Sequence, residues 1–455
     1  MTDLRCHRRD VVCRSEAHEV ALECLLAGIE AAHPSELVSE MVAVDDGTLT
    51  IASGEADDGE ASEYDLEAYD DIRLFGGGNA AAQFASALED NLVEWLTGGA
   101  VVTDDPTETA VVDVHAGDHP IPSEDGVAGT ERILEAAHAC GEDDLVLVTI
   151  TGGGSALLAA PAPGLSLSDL QAVTDELLAC GAAIDEINAV RKHCSAIKGG
   201  HLARAVAPAT LVTLVLSDVV GDDLSVIASG PTVPDDSTYR DALAVLERYD
   251  LDAPAAVSAH LEAGANGEKS ETPTATDPAF DRTHTHVLGN GRTALEAARG
   301  TALEAGYEPL ILASGVRGEA REAALTHVAI AEECRETGSP ISPPAVLLSG
   351  GETTVTLGDD PGAGGPNQEF VLSGALALEG EEIVVASVDT DGIDGATDVA
   401  GAIADGTTIP DRAGRRALEQ HDALSVLEDA DAVIRTGPSG TNVNDLRIIV
   451  VEPST

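Results

Sequence analysis

Leu145-Val-Leu-Val-Thr-Ile150-Thr151-Gly152-Gly153-Gly154-Ser155 is the stretch on which the fold turns. Its first six residues do not alternate between apolar and polar, so the strand they predict has no wet face. Such a strand lies inside a parallel sheet covered by helices on both sides. The three glycines then fall at its C-terminal end, where open parallel sheets bind ligands, and their backbone N–H groups suit an anion such as phosphate. Ser155 reads as a hydrogen-bonding or capping residue, because no G-x-S-x-G elbow surrounds it.

Two other segments repeat this grammar. Residues 72–75 predict a short buried strand that runs into Gly76-Gly77-Gly78-Asn79-Ala80-Ala81 and a helix over about 80–96. A glycine turn entering a helix is an anion site, and the run also fits the dinucleotide pattern G-x-G-x-x-A. Asp104, after a candidate strand at 100–103, stands where a ribose-binding acid would sit, at a longer spacing than usual. Residues 211–216 predict another buried strand, ending in Ser217-Asp218 and then Gly221-Asp222-Asp223. Carboxylates at a strand tip suit Mg2+ carried on a nucleotide, and Asp218 is the best placed of these. Acids at loops are equally what a strongly acidic chain shows everywhere.

Helices are expected over 15–33, 126–140 and 167–180, and from 183 into Asn188-Ala-Val-Arg191-Lys192-His193-Cys194-Ser-Ala-Ile-Lys198-Gly199-Gly200-His201. The chain has three lysines, and two of them, Lys192 and Lys198, fall here beside Arg191. A cationic island in an acidic chain is a natural seat for an anion. Residues 265–283, polar and rich in Pro, Thr and Ser, read as a linker between a domain over 1–264 and a second over 284–455. In the second, Ala345–Leu348, Ile383–Ser387 and Leu446–Val451 are strands. Ser349-Gly-Gly-Glu352, with Val355–Leu357 as a hairpin arm, and Asp389-Thr-Asp391-Gly392 are strand-end loops. The last resembles a calcium loop, but Ala400 stands where an EF-hand needs glutamate. The fold class is therefore α/β: an N-terminal Rossmann-like layered sheet and a smaller C-terminal α/β domain, with a site in the cleft between them.

Composition narrows the function. Asp plus Glu number 81 against 24 Lys plus Arg, a net charge of −57, while 44% of residues are hydrophobic. That apolar content argues for folded cores rather than disorder. The charge suits a protein adapted to high salt, as in halophilic archaea, where ions screen self-repulsion. No basic face exists to meet nucleic acid. No run reaches transmembrane length, and seven cysteines without a CxxC pair read as reduced thiols, so a cytoplasmic protein is expected.

At the level of motifs the chain resembles class II glycerate kinases. HPIPSEDG (119–126), TGGGSALL (151–158), INAVRKHCSAIKGGHLA (187–203) and LSDVVGDDLSVIASGPTVPD (216–235) are similar to their N-terminal domain. SGGETTV (349–355), GGPNQEF (364–370), DTDGIDGATDVAGA (389–402) and TGPSGTNVNDLRI (436–448) are similar to their C-terminal MOFRL domain. The resemblance implies ATP-dependent phosphorylation of D-glycerate, commonly to 2-phosphoglycerate, with Mg2+; some members carry the label hydroxypyruvate reductase. On that footing Arg191, Lys192, Lys198 and Asp218 are the expected catalytic groups. Gly76, Gly78, Asn79, Gly152, Gly153, Gly154, Ser155, Glu352, Asn367 and Asn442 are expected to bind substrate or nucleotide. Asp218, Asp222, Asp389 and Asp391 are the expected metal ligands. The chain departs from the pattern at Asn79, where the family usually has lysine, and at Pro366, where arginine is frequent. Either Arg191, Lys192 or Lys198 compensates, or this branch has a shifted substrate or reduced activity. Glycerate is the expected partner, and a homodimer is compatible with the resemblance. The alternatives are an NAD(P)H-dependent hydroxypyruvate reductase and a binding protein for related hydroxy acids.

Overall fold

The structure is a computed structural model that describes residues 4–52, 61–358 and 361–453. The chain forms two compact units, Leu37–Leu288 and Met1–Glu36 together with Gly289–Thr455. In chain order the strands are β1 (Val42–Asp45), β2 (Thr48–Ile51), β3 (Ser62–Asp65), β4 (Ile72–Gly77), β5 (Gly98–Thr103), β6 (Val112–Ala116), β7 (Leu145–Ile150), β8 (Thr210–Leu216) and β9 (Thr283–Gly289). They continue with β10 (Glu308–Glu319), β11 (Ala345–Thr354), β12 (Ile383–Asp389), β13 (Gly401–Asp405), β14 (Val433–Ile434) and β15 (Asp445–Val451).

In the Leu37–Leu288 unit, six strands form a sheet in the order β6-β5-β4-β7-β8-β9. The β6-β5, β5-β4, β4-β7 and β7-β8 pairs are all parallel. Every residue of β7 and β8 is buried, as their mainly apolar, non-alternating runs predict. From β4 the chain steps through β5 to β6 on one side, then returns to β7 and moves the other way. The order reverses between β4 and β7, so their C-terminal ends open a crevice, the usual ligand position in such sheets. An antiparallel β1-β2-β3 sheet completes the unit.

The other unit holds a mixed sheet, β10-β11-β15-β12-β13-β14. β10 and β11 are parallel, while β15 runs antiparallel to both β11 and β12. The helix Glu16–Ala31 belongs here rather than to an N-terminal domain over 1–264. A Cβ on its Gly28 would lie 2.5 Å from Leu446 Cδ2 and 2.9 Å from the Ala294 carbonyl oxygen, so the missing side chain lets the helix sit close. Leu22, Leu25 and Ile29 are buried, and Thr441 Oγ1 donates to the Ala32 carbonyl at 2.6 Å.

Residues 265–283 are not a linker. Their polar side chains are spent inside the Leu37–Leu288 unit: Thr272 Oγ1 donates to Asp235 at 2.9 Å, Glu271 accepts from the Tyr239 N–H at 3.0 Å, and Arg204 pairs with Asp277 at 2.8 Å. The Ser349–Thr354 segment is likewise not a loop but part of β11, and Val355–Leu357 forms no hairpin arm. Gly351 (φ +121°) lies where the β10-β11 register slips, with a would-be Cβ 2.3 Å from Val316 backbone atoms.

Candidate active site

The crevice between β4 and β7 is built by close backbone approach. The Asn79 N–H donates to the Gly152 carbonyl at 2.8 Å, and the Ala80 N–H to Thr151 Oγ1 at 3.2 Å. Gly78 (φ +138°) makes the turn, and a Cβ there would lie 2.1 Å from Thr151 Oγ1. Gly76 has a different role from the one expected. It lies within β4, where a Cβ would strike Thr149 Oγ1 on β7 at 2.1 Å, so it serves strand packing. That also weakens the dinucleotide reading, whose glycines belong to the turn.

On the β7 side, Gly152 leaves room for Asp218 and Gly153 for Asn79. A Cβ on Gly152 would lie 2.4 Å from Asp218 Oδ2, and one on Gly153 (φ +75°) 1.7 Å from Asn79 Oδ1. The structure thus brings Asn79, Gly152–Ser155 and Asp218 to one place. Asn79 Oδ1 is buried there without a hydrogen-bond donor. Asp222 lies four residues beyond Asp218 in the same loop, with φ +53°.

The cationic stretch divides. Lys192 is buried and locked to Asp235 at 3.0 Å, and Asp235 is held in turn by Ser237 and Thr272. This is an internal ion pair, so Lys192 is not available to an incoming anion, contrary to expectation. Lys198 has no carboxylate: its ammonium donates to the Leu158 carbonyl at 2.8 Å. Burial, followed by the charge of Arg191, brings its pKa from 10.5 down to about 7. Arg191 is half-buried, and burial alone lowers its pKa. Among the described residues no carboxylate pairs with Arg191 or Lys198. Arg191 and Lys198 thus lie close enough for one charge to act on the other, without a carboxylate between them, in a chain of charge −57.

Three neighbours were not legible as site residues. His119 approaches the cradle, its Cδ2 3.3 Å from a Cβ on Gly153; its place in the HPIP run was the available signal. Asn188 and Ser229 link to Ser155: Ser229 Oγ donates to Asn188 Oδ1 at 2.9 Å and lies 2.9 Å from Ser155 Oγ. Asn188 stood at the head of the cationic stretch, and Ser229 lay inside the 216–235 motif without anything to single it out.

The other unit gathers a second polar cluster. Asp394 accepts from the N–H groups of Asn367 and Gln368 at 3.0 and 2.9 Å, capping the helix Pro366–Ala377. Pro366 occupies the first turn of that helix, where its missing N–H costs nothing. Burial raises the Asp394 carboxyl to about 6. Asn367 donates to Asp394 and Asp445 and accepts from Ser387, so both ends of its side chain are spent. It is a 1% exposed structural group rather than an available ligand. Asp445 also accepts from Thr353 and from the fully buried Arg447. Asn442 accepts from the Asn444 N–H at 2.9 Å. Glu352 projects from β11 and is exposed.

Asp389 and Asp391 stand together at the end of β12. Burial, then the charges of Asp391 and Asp445, push the Asp389 carboxyl well above the usual carboxylate range. Such a carboxylate favours a cation. Among the described residues no three His, Cys, Asp or Glu side chains gather as a ready metal cage. Mg2+ usually keeps several waters and binds through one or two carboxylates plus substrate phosphates, so it does not need such a cage.

Residues 20–262 match the family described as a domain of unknown function, DUF4147, and residues 345–445 match the MOFRL family. A chain from Agrobacterium vitis that carries a provisional hydroxypyruvate reductase name is 45% identical over 387 residues, covering 83% of this chain and 86% of that one. The glycerate 2-kinase of Pyrococcus horikoshii is 37% identical over 445 residues, covering 96% and 98%. The crystal structure of a glycerate kinase from Thermotoga maritima superposes with a TM-score of 0.82 at 36% identity, covering 95% of this chain and 99% of that one.

Proposed function

The chain belongs to the glycerate kinase family, which joins these two domains, and from that premise we propose that it transfers the γ-phosphoryl group of ATP to D-glycerate, giving 2-phosphoglycerate. The observation that carries this reading is the Arg191–Lys198 pair, two cations without carboxylate partners. Phosphoryl transfer asks a protein mainly for alignment and charge neutralisation, with little covalent work. Arg191 and Lys198 supply the positive charge. The Gly152–Gly154 backbone offers N–H groups, and Asp218, beside Gly152, accepts the proton of the attacking hydroxyl or holds the metal. Mg2+, when bound, neutralises charge on the phosphates. Asp389 and Asp391, with the Asp389 carboxyl pushed up by burial and by its neighbours' charges, are the other candidate metal-holding pair.

The position of the absent family lysine is filled by Asn79, whose amide carries no charge. With Lys192 committed to Asp235, compensation falls to Arg191 and Lys198. Free thiols at all seven cysteines, and no described helix long and apolar enough to cross a membrane, support a cytoplasmic enzyme. The charge of −57 supports work at high salt.

Hydroxypyruvate reduction is the second reading, favoured by the name of the Agrobacterium vitis relative. A panel assay separates the two. ADP release from ATP on adding D-glycerate, with no NADH or NADPH consumed on adding hydroxypyruvate, is the expected result. Cofactor oxidation without ATP would replace the kinase reading.

A further inference from the structure

Ser229 sits in an unusual piece of backbone. Ala228, Ser229 and Gly230 are consecutive left-handed residues, with φ of +50°, +61° and +61°. Two of them carry side chains, and such conformations persist where the surroundings over-determine them. The Gly199 N–H donates to the Ser229 carbonyl at 3.0 Å, and the Gly200 N–H to the Gly230 carbonyl at 2.7 Å. Ala228 packs on the cradle, its Cβ 2.7 Å from a would-be Cβ on Gly154. The turn therefore joins the residues after Lys198 to the glycine loop that carries Ser155.

The hydroxyl of Ser229 fixes more than position. A serine has one proton to give. Ser229 gives it to Asn188 Oδ1, which can only accept. The 2.9 Å contact between Ser229 and Ser155 must then use the proton of Ser155. Ser155 Oγ is then left with lone pairs only, so toward any further partner it is an acceptor. The other end of Asn188 has the opposite character: its Nδ2 is a donor without a partner, on a side chain 2% exposed. Ser155 Oγ and Asn188 Oδ1 both contact Ser229 Oγ, which puts them within about 6 Å of each other.

We propose that Asn188, Ser229 and Ser155 form a reader for α-hydroxy acids: Asn188 Nδ2 donates to the carboxylate and Ser155 Oγ accepts from the neighbouring hydroxyl. Ser229 is the positioning residue that sets the polarity of the chain. The inference rests on the kinase reading for its substrate, with Asp218 in its metal-holding role so that the single proton of the hydroxyl is left to Ser155, and it adds the group that distinguishes a hydroxyl from a carbonyl. An α-keto acid presents only lone pairs at that carbon and meets those of Ser155. The buried acceptor Asn79 Oδ1, beside Gly153, adds to the same preference.

Calorimetric binding of two matched pairs, D-glycerate with hydroxypyruvate and D-lactate with pyruvate, tests it on the full chain. Wild type should bind each hydroxy acid about tenfold or more tighter than its keto partner, the worth of one hydrogen bond plus an avoided clash of acceptors. Ser155→Ala should bring both ratios to within about threefold, mainly by weakening the hydroxy acids. Ser229→Ala should also lower the ratios, but by strengthening the keto acids, because the freed hydroxyl of Ser155 can turn and donate. Ser229→Gly, which suits φ +61°, repeats that deletion without backbone cost if the alanine variant folds poorly. The proposal is overturned if wild type binds neither member of a pair, if the ratios stay unchanged in the variants, or if Ser155→Ala harms the keto acids more. Tight glycerate binding without phosphorylation would remove the kinase reading and leave the reader intact, whereas phosphorylation with unchanged ratios would do the reverse.

Discussion

Replacing Lys198 by methionine should make the protein more stable and a worse enzyme. Lys198 is 5% exposed, and its ammonium has only the Leu158 carbonyl for a partner. A pKa brought from 10.5 to about 7 means that the charged form is disfavoured in the folded chain by about 5 kcal/mol. Below pH 7 the folded lysine holds its proton and the whole penalty stands. From pH 7 to 10.5 only the unfolded chain keeps that proton, so stability climbs with pH across this window. Methionine fills a similar volume and carries no charge, but leaves the Leu158 carbonyl without its donor, a loss of about 1–3 kcal/mol. The balance at pH 6 is a gain of about 2–4 kcal/mol, or roughly 4–8 °C in Tm. By pH 9 the remaining penalty is about 2 kcal/mol, and the gain falls to near zero. The same change removes half of the anion seat. KM for the anionic substrate should rise about 10- to 100-fold, and the increase in Tm on adding glycerate or ATP should shrink. Thermal melts at pH 6 and pH 9, with steady-state kinetics on the same samples, test both halves. A variant that melts lower at pH 6 and keeps its KM would show that Lys198 is an ordinary structural lysine, and the anion-seat argument would be wrong.

Other perturbations separate scaffold from site. Asp235→Asn leaves Lys192 buried without its counter-charge and should cost about 3–5 kcal/mol in denaturant unfolding, while glycerate KM of the folded protein changes little. Gly153→Ala places a Cβ on Asn79 Oδ1 and strains a left-handed residue; it should lower kcat/KM for glycerate at least about tenfold for a stability loss of only about 1–2 kcal/mol, read by kinetics beside a melt. Raising KCl from about 0.2 M to about 3 M should raise Tm, because screening relieves the repulsion of a −57 chain; a flat or falling Tm would remove the case for salt adaptation.

The parallel sheet was legible because its chemistry is local. Residues 145–150 and 211–216 are apolar but for one threonine each, and both are buried strands within a residue of the expected bounds. Glycines after β4 and β7 marked the crevice for the same reason. The division into units was not legible, because it depends on contacts far apart in sequence. The fit of Gly28 against Leu446 and Ala294 cannot be read from residues 1–36. Residues 265–283 have the composition of a linker, yet Glu271, Thr272 and Asp277 each serve as buried or half-buried partners to distant side chains. Charge type alone likewise could not tell Lys192 from Lys198. They sit six residues apart, but only one meets a carboxylate, and Asp235 is supplied from a distant turn. Ser229 is the extreme case: the 216–235 motif contains it, but its left-handed backbone and its hydrogen bonds to Ser155 and Asn188 cannot be read from Ile-Ala-Ser-Gly-Pro.

The claim that this chain is a kinase acting on glycerate is tested most directly by 31P NMR of the protein with ATP, Mg2+ and D-glycerate at high KCl. A phosphomonoester at the C2 oxygen is expected, formed in step with ADP and absent without glycerate. ATP left intact, while NADH or NADPH is consumed on adding hydroxypyruvate to the same preparation, would contradict it.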